Sequence, residues 1–204
     1  MINETNLISE ELARSVTDRV LSMREHFTDR GKFHTLGASS YIDNMADYTR
    51  LSMEKNPMLL NEFSDLYAIV QKHISSVLQL EVLVHPWGAV PGFHIFGTES
   101  NSIQGHVHVD QPYQRILWPE PFYSPFTFTL ALNVPGKAGL DVWLDQEQLT
   151  PIYIDYKVGH LYSHAGLILH RISKVGEVTD ENPRITLQGH GAILGMSNKA
   201  VVYF

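Results

Sequence analysis

Gly105-His106-Val107-His108-Val109-Asp110 sets three side chains of metal-ligand type at alternate positions of a run otherwise made of glycine and valine. Alternation of this kind reads as a β-strand, in which residues two apart share a face. His106, His108 and Asp110 therefore project together, and Val107 and Val109 point the other way. Three such groups left buried and unpaired would be costly, so they call for a common partner. Two histidines and one carboxylate on one side of an iron ion leave the opposite coordination positions open. His108-x-Asp110 provides two of those ligands, and the third has to come from elsewhere. His170 is the candidate, at the end of the apolar run Gly166-Leu167-Ile168-Leu169-His170. His106 stays open between a ligand in another register, a substrate contact and an ordinary strand histidine.

Further along, Pro183-Arg184-Ile185-Thr186 puts a guanidinium fork and a hydroxyl on one face of a β segment. That pair suits a carboxylate, because arginine presents parallel donors that match two carboxylate oxygens.

The rest of the chain frames these motifs. Ser9 caps a helix carrying Leu12, Ala13, Val16 and Val20 at helical spacing, and 33–42 reads as extended. Asn56-Pro57 reads as the start of a second helix through Leu59, Phe63, Leu66, Val70, Ile74 and Val77. From about residue 81 the pattern turns to short β-rich segments broken by Gly, Pro and Asn. Strands are expected over 81–84, 92–96, 103–109, 126–133, 141–144, 152–154, 160–163, 167–172, 184–190 and 201–204. The expectation is one domain over 1–204, mainly β. A helical N-terminal layer (1–80) would buttress an antiparallel jelly-roll or cupin-like barrel (81–204).

Composition narrows the function classes. The chain has 204 residues, 44% of them hydrophobic, enough for a sizeable core. Its 15 basic and 22 acidic residues give a formal net charge of −7, which disfavours nucleic acid as a partner. With no cysteine, disulfides, thiol catalysis and cysteine-bound zinc are excluded. No apolar run approaches the roughly 20 residues of a membrane span, and the N-terminal residues lack a signal-peptide pattern. A cytoplasmic protein acting on a small molecule is expected, with no membrane partner and with homodimerisation left open.

Taken in order, His108-x-Asp110, His170 and Arg184-x-Thr186 resemble the iron(II)- and 2-oxoglutarate-dependent oxygenases of the double-stranded β-helix fold, with no subfamily singled out. Phe126-Thr127-Phe128-Thr129-Leu130-Ala131-Leu132-Asn133, then Gly139-Leu140-Asp141-Val142-Trp143, is similar to that family's strand and following hairpin. Val158-Gly159-His160-Leu161-Tyr162-Ser163 is similar to the strand preceding the distal histidine. The resemblance runs from about residue 92 to the end. It implies Fe(II) on His108, Asp110 and His170, with 2-oxoglutarate as co-substrate held by Arg184 and Thr186. It also implies O2 as oxidant, succinate and CO2 as co-products, and hydroxylation of a small metabolite such as an amino acid or a biosynthetic intermediate. Desaturation, cyclisation and epimerisation are variants of the same chemistry. Family halogenases usually lack the carboxylate, so Asp110 speaks against halogenation.

Segment 111–126, rich in proline and aromatics, reads as a loop over the barrel mouth. It offers Arg115, Trp118 and Tyr123 as substrate contacts, the alternative being aromatics folded down into the core. His94, His106 and Trp143 are further candidates, and Tyr41 or Asp43 is expected near the opening. His190 ranks lower, and His160 and His164 are assigned to turns or strand faces without chemistry. Two other readings remain. A cupin-type metal dioxygenase or isomerase would use His106, His108 and His170 without 2-oxoglutarate, but Pro112 and Tyr113 stand where its glutamate is wanted. A non-catalytic jelly-roll binding module would bind a small ligand without a redox metal.

Overall fold

Ser9 starts the first helix as expected: its hydroxyl accepts the Leu12 N–H at 3.2 Å. This helix, α1 (Glu10–Ser22), carries Glu10 and Glu11 in its first turn, where the helix dipole favours negative charge. The second helix begins earlier than the sequence suggests. α2 spans Met45–Glu62, capped by the Asn44 side chain, which accepts from the Asp47 N–H. Pro57 lies inside it. The carbonyl that Pro57 leaves without a donor belongs to Met53, whose side chain is 76% exposed, so water can satisfy it. Asn56 is not a cap: its side chain bonds Gly88 O and the Val90 N–H, both at 3.0 Å. α3 follows as Ser64–Leu78. None of the described helices is long and apolar enough to cross a membrane.

The structure, a computed structural model, describes residues 2–145 and 150–204. Its strands are β1 (Ile2–Asn6), β2 (Thr28–Asp29), β3 (His34–Leu36), β4 (Val82–Val84), β5 (Gly92–Phe96) and β6 (Phe122–Asn133). They continue with β7 (Gly139–Trp143), β8 (Ile152–Asp155), β9 (His160–Ala165), β10 (Leu169–Ile172), β11 (Arg184–Leu194) and β12 (Ala200–Tyr203). The large sheet has the order β1-β9-β6-β11-β5-β3-β2. β12 also pairs with β11, and β4 lies parallel to β12. The small sheet is β10-β7-β8.

Strand alternation divides the large sheet between two cores. Phe93, Ile95, Phe128, Leu130, Leu161, Ile185 and Leu187 face the helices and pack on Val16, Val20, Leu59, Phe63, Leu66 and Val70. The other face looks toward the small sheet, whose Leu140 and Val142 pack with Ala131, Tyr156 and Tyr162. Two strands were not legible: β2 has only two residues, and β1 is polar, yet it pairs along β9 from Ile2–His164 to Asn6–His160.

Two expected segments differ in form. Residues 103–109 are not a regular strand. They run beside β10 with four residues, 105–108, set against three, 170–172, Gly105 N bonding Ile172 O and His108 exchanging both backbone bonds with His170. The loop at 111–126 is shorter than expected, because β6 already begins at Phe122. Ile116 and Trp118 pack into a cluster with Tyr48, Leu51, Ala89 and Tyr203. Trp118 is therefore folded down against the core, whereas Tyr123 is exposed. Close packing also fixes the start of β5: a Cβ on Gly92 would lie 2.1 Å from the ring of Phe204, a contact no side chain can make.

Candidate metal centre

His108, Asp110 and His170 converge, their ligand atoms lying within 4.8 Å of one another. His108 Nε2 is 3.6 Å from Asp110 Oδ1, and His170 Nε2 is 3.5 Å from Asp110 Oδ2. The reciprocal backbone pairing of His108 with His170 brings the two imidazoles together at 4.6 Å between ring centres. Each ring is oriented through its other nitrogen. His108 Nδ1 lies 2.7 Å from His106 O and His170 Nδ1 lies 2.8 Å from Ile168 O. A carbonyl only accepts, so both Nδ1 atoms carry a proton; each Nε2 faces Asp110 and, once free of any proton of its own, offers its lone pair to a metal.

Electrostatics keep the carboxylate available. Burial acts to raise the Asp110 carboxyl, but the hydrogen bond from His108 and the nearby His190 and His170 outweigh it, and it lies well below the usual range. The hydrogen bond to Asp110 raises His108, whereas burial lowers His170. A sign follows for metal binding. Protons compete with the metal at Nε2, and His108 holds its proton to a higher pH than its ordinary 6.5. Metal affinity should begin to fall above that value, by about tenfold per pH unit as pH drops, and more steeply once His170 also titrates. Calorimetric titration with cobalt(II) across that range checks this, and an onset well below pH 6 would contradict it.

The triad opens into a cavity of about 420 Å³ between the two sheets. β11 supplies Arg184, Thr186 and Gln188 to it at alternate positions. Arg184 is 2% exposed, and its Nε and one terminal nitrogen have no hydrogen-bond partner among the described residues. Its guanidinium lies between the rings of Phe96 and Tyr156, at 5.2 Å from each. Burial lowers its pKa from 12.5. An arginine held in this way, with donors aimed into a cavity and no carboxylate beside it, is a receptor for an anion. Thr186, also 2% exposed, lines the same cavity. The donor set and the orphaned guanidinium thus fit a metal ion together with a carboxylate-bearing co-substrate.

The other candidates separate. His94 and His106 line the cavity, as does Tyr41, whose hydroxyl is hydrogen-bonded to His94 Nε2. Burial lowers His94 to about 3, so it is neutral. His106 lines the wall but is not part of the ligand group. Asp43 pairs with Arg30 through two contacts and accepts the Ser39 N–H, which pins the turn that carries Tyr41. Arg115, Trp118, Tyr123 and Trp143 do not line the cavity. Arg115 donates to Tyr41 O at 3.0 Å, Trp118 stacks on Phe122 at 4.0 Å, and Tyr123 is 48% exposed. Trp143 shares the outer face of β7 with Asp141 and lies beneath Arg171.

Thr127 was not singled out by its sequence, and His164, assigned to a turn or strand face without chemistry, stands instead in the cavity wall. Both line the cavity, and Thr127 donates to Asp110 Oδ2 at 2.7 Å. The signal was present in Phe126-Thr127-Phe128-Thr129, where the polar positions alternate with the helix-facing phenylalanines.

No family model matches the sequence, and no curated protein matches it. Solved structures do. An N-substituted L-amino acid dioxygenase from Burkholderia ambifaria superposes with a TM-score of 0.60 at 12% identity, over 100% of this chain and 86% of that one. Its complex with alpha-ketoglutarate gives 0.58 at 10% identity, with the same coverage. The alpha-ketoglutarate-dependent epimerase SnoN from nogalamycin biosynthesis gives 0.56 at 11% identity, over 93% of this chain and 76% of that one. At these identities the likeness is one of architecture: the chain has the double-stranded β-helix fold found in non-heme, 2-oxoglutarate-dependent oxygenases.

Proposed function

We propose that the protein is an Fe(II)- and 2-oxoglutarate-dependent oxygenase that oxidises a small metabolite. One observation carries the reading: a buried guanidinium with no carboxylate partner among the described residues shares one cavity with a two-histidine, one-carboxylate group. His108, Asp110 and His170 would hold the iron. Arg184 and Thr186 would take the distal carboxylate of 2-oxoglutarate. Phe96 and Tyr156 flank the guanidinium and keep water from it, which strengthens the ion pair. When bound, iron and 2-oxoglutarate together supply activation of dioxygen, coupled to release of CO2 and succinate. The chain's own contribution is to orient the ligands, hold the co-substrate and exclude water.

Charge supports a carboxylate-bearing substrate, such as an amino acid. Among the described residues Asp110 is the one carboxylate in the lining, and Arg30 is neutralised by Asp43. A divalent metal, Asp110, a doubly charged co-substrate and Arg184 cancel, which leaves Lys32, an exposed lining residue, as the unbalanced charge. Lys32→Glu should raise KM for such a substrate about tenfold and leave kcat nearly unchanged. An unchanged KM would remove Lys32 from recognition.

The function is tested by screening metabolites, amino acids first, for succinate release with Fe(II) and ascorbate. A weak visible absorption band on anaerobic addition of Fe(II) and 2-oxoglutarate is the accompanying signature. No band and no succinate with any substrate would favour a binding module.

A further inference from the structure

His164, Thr127 and His190 stand side by side on three adjacent strands. Thr127 on β6 is paired across the sheet with His164 on β9 and with His190 on β11. All three are buried, with 6%, 2% and 1% exposure, directly behind the ligand group. Their contacts have a forced direction. The Thr127 hydroxyl has one proton, and the carboxylate of Asp110, 2.7 Å away, only accepts. Thr127 therefore donates to Asp110 Oδ2. His190 Nδ1, at 3.0 Å from the same hydroxyl oxygen, must then carry a proton and donate it. His190 Nε2 is left as a bare acceptor with no hydrogen-bond partner, held between the rings of Tyr41 and Tyr203 at 5.7 and 5.8 Å. On the other side, the His164 ring meets the His170 ring edge-on at 4.8 Å, and its Nδ1 is tied to Ala165 O at 2.9 Å.

We propose that this transverse row positions the metal ligands: Thr127 orients the Asp110 carboxylate, His190 locks the Thr127 hydroxyl, and His164 fixes the ring of His170. The proposal rests on the metal reading above. Its chemical consequence is that Oδ2, engaged by Thr127, would be the poorer ligand oxygen, which leaves Oδ1 as the atom that would hold a metal. All three would act through the ligands Asp110 and His170, so they are positioning residues. Hydroxyls and imidazoles that merely satisfied one another in a core would not need to end on the carboxylate ligand. Here the donor chain runs from His190 to Thr127 to Asp110 without a break.

The probe is cobalt(II), with binding followed by calorimetry and by its visible spectrum, so the readout does not depend on activity. Thr127→Val, which keeps shape and removes the donor, should weaken binding at least about tenfold and change the cobalt spectrum as the carboxylate turns. Thr127→Ser should restore affinity to within about threefold and bring back the spectrum, on the same principle that an outer hydrogen bond tunes the ligand. His190→Leu should weaken binding on its own. It should add little in the double variant with Thr127→Val, because both cut the same chain. His164→Phe should bind like wild type, and His164→Ala should not.

If wild type binds cobalt and Thr127→Val binds it equally well with an unchanged spectrum, the row is overturned and the metal site stands. If wild type binds neither cobalt(II) nor iron(II), both readings fall. If Thr127→Val also melts at a much lower temperature, the double variant decides, and additive losses with His190→Leu overturn the row.

Discussion

Arg184→Met should raise the melting temperature of the protein and at the same time largely abolish its response to 2-oxoglutarate. Arg184 is 2% exposed, its Nε and one terminal nitrogen are unpartnered, and no carboxylate pairs with it among the described residues. Without ligand, the fold therefore carries an uncompensated buried cation. The faces of Phe96 and Tyr156 recover part of that cost, about 2 kcal/mol for a desolvated cation over a ring. They cannot replace the lost hydration of the donors. Methionine fills similar space without the charge. The expected gain is about 1–3 kcal/mol, in line with replacement of buried ionic groups by apolar ones. For a chain of this size that is roughly 2–10 °C.

Ligand binding should move the other way. Truncating one partner of a buried charge pair costs about 2–5 kcal/mol, so 2-oxoglutarate affinity should fall by roughly 100-fold or more. At about 100 times its Kd, 2-oxoglutarate should stabilise wild type by about 2.7 kcal/mol and the variant by about 0.4 kcal/mol or less. Arg184→Lys should fall between, keeping the charge and losing the two-donor fork. Thermal melts with and without the co-substrate measure both effects. A variant that is less stable than wild type and still binds 2-oxoglutarate would mean that Arg184 is a core group and the anion sits elsewhere.

That residue also shows what the sequence could disclose. Arg184-x-Thr186 and His108-x-Asp110 were readable because strand periodicity is short-range: side chains two apart share a face whatever the rest of the chain does. The same periodicity located all of the later strands, with edges misplaced by a few residues. It failed where pairing depends on distant partners. Ile2–Asn6 has too few apolar positions to announce a strand, and its register is set by β9. Pro57 suggested a helix start because proline favours the first turn, but the surroundings of Met53 allow it inside α2. The metal-bearing segment itself was simplified. The irregular pairing of 105–108 against 170–172 detaches His106 from its alternating neighbours.

The site's surroundings were less legible than its ligands. Trp118 and Trp143 drew notice as large aromatics close to the motifs, yet an aromatic near a site in sequence is as useful to the core as to a substrate. Trp118 fills the cluster under α2, and Trp143 lies on the outer face of its strand. Cross-strand neighbours are invisible to any local pattern. Nothing in the spacing of residues 127, 164 and 190 announces that they form one row, because the three strands meet only in the folded sheet.

Separate loss of Asp110 and of His106 should give opposite results, and the pair decides which metal chemistry the fold carries. Asp110 is one of the three groups that converge, and both imidazole Nε2 atoms point at its oxygens, at 3.5 and 3.6 Å. His106 contributes its backbone carbonyl to orient His108, an interaction that survives any side-chain change. Asp110→Ala should therefore reduce metal affinity at least about 100-fold, since the only anionic ligand is gone, a larger loss than for an outer-sphere partner. His106→Ala should change it by less than about threefold, because no ligand and no ligand-orienting side chain is removed. The two variants should keep wild-type secondary structure, which circular dichroism checks before the titration. An alanine at position 106 that destroys binding, together with an alanine at 110 that spares it, would instead assign the metal to His106, His108 and His170. That arrangement has no carboxylate to leave a 2-oxoglutarate-type coordination pattern, and Arg184 would then need another anion. The present geometry argues for the first outcome through a contact neither histidine motif predicts: Thr127 already spends its one proton on Asp110, a hydrogen bond that only an ionised, oriented carboxylate rewards.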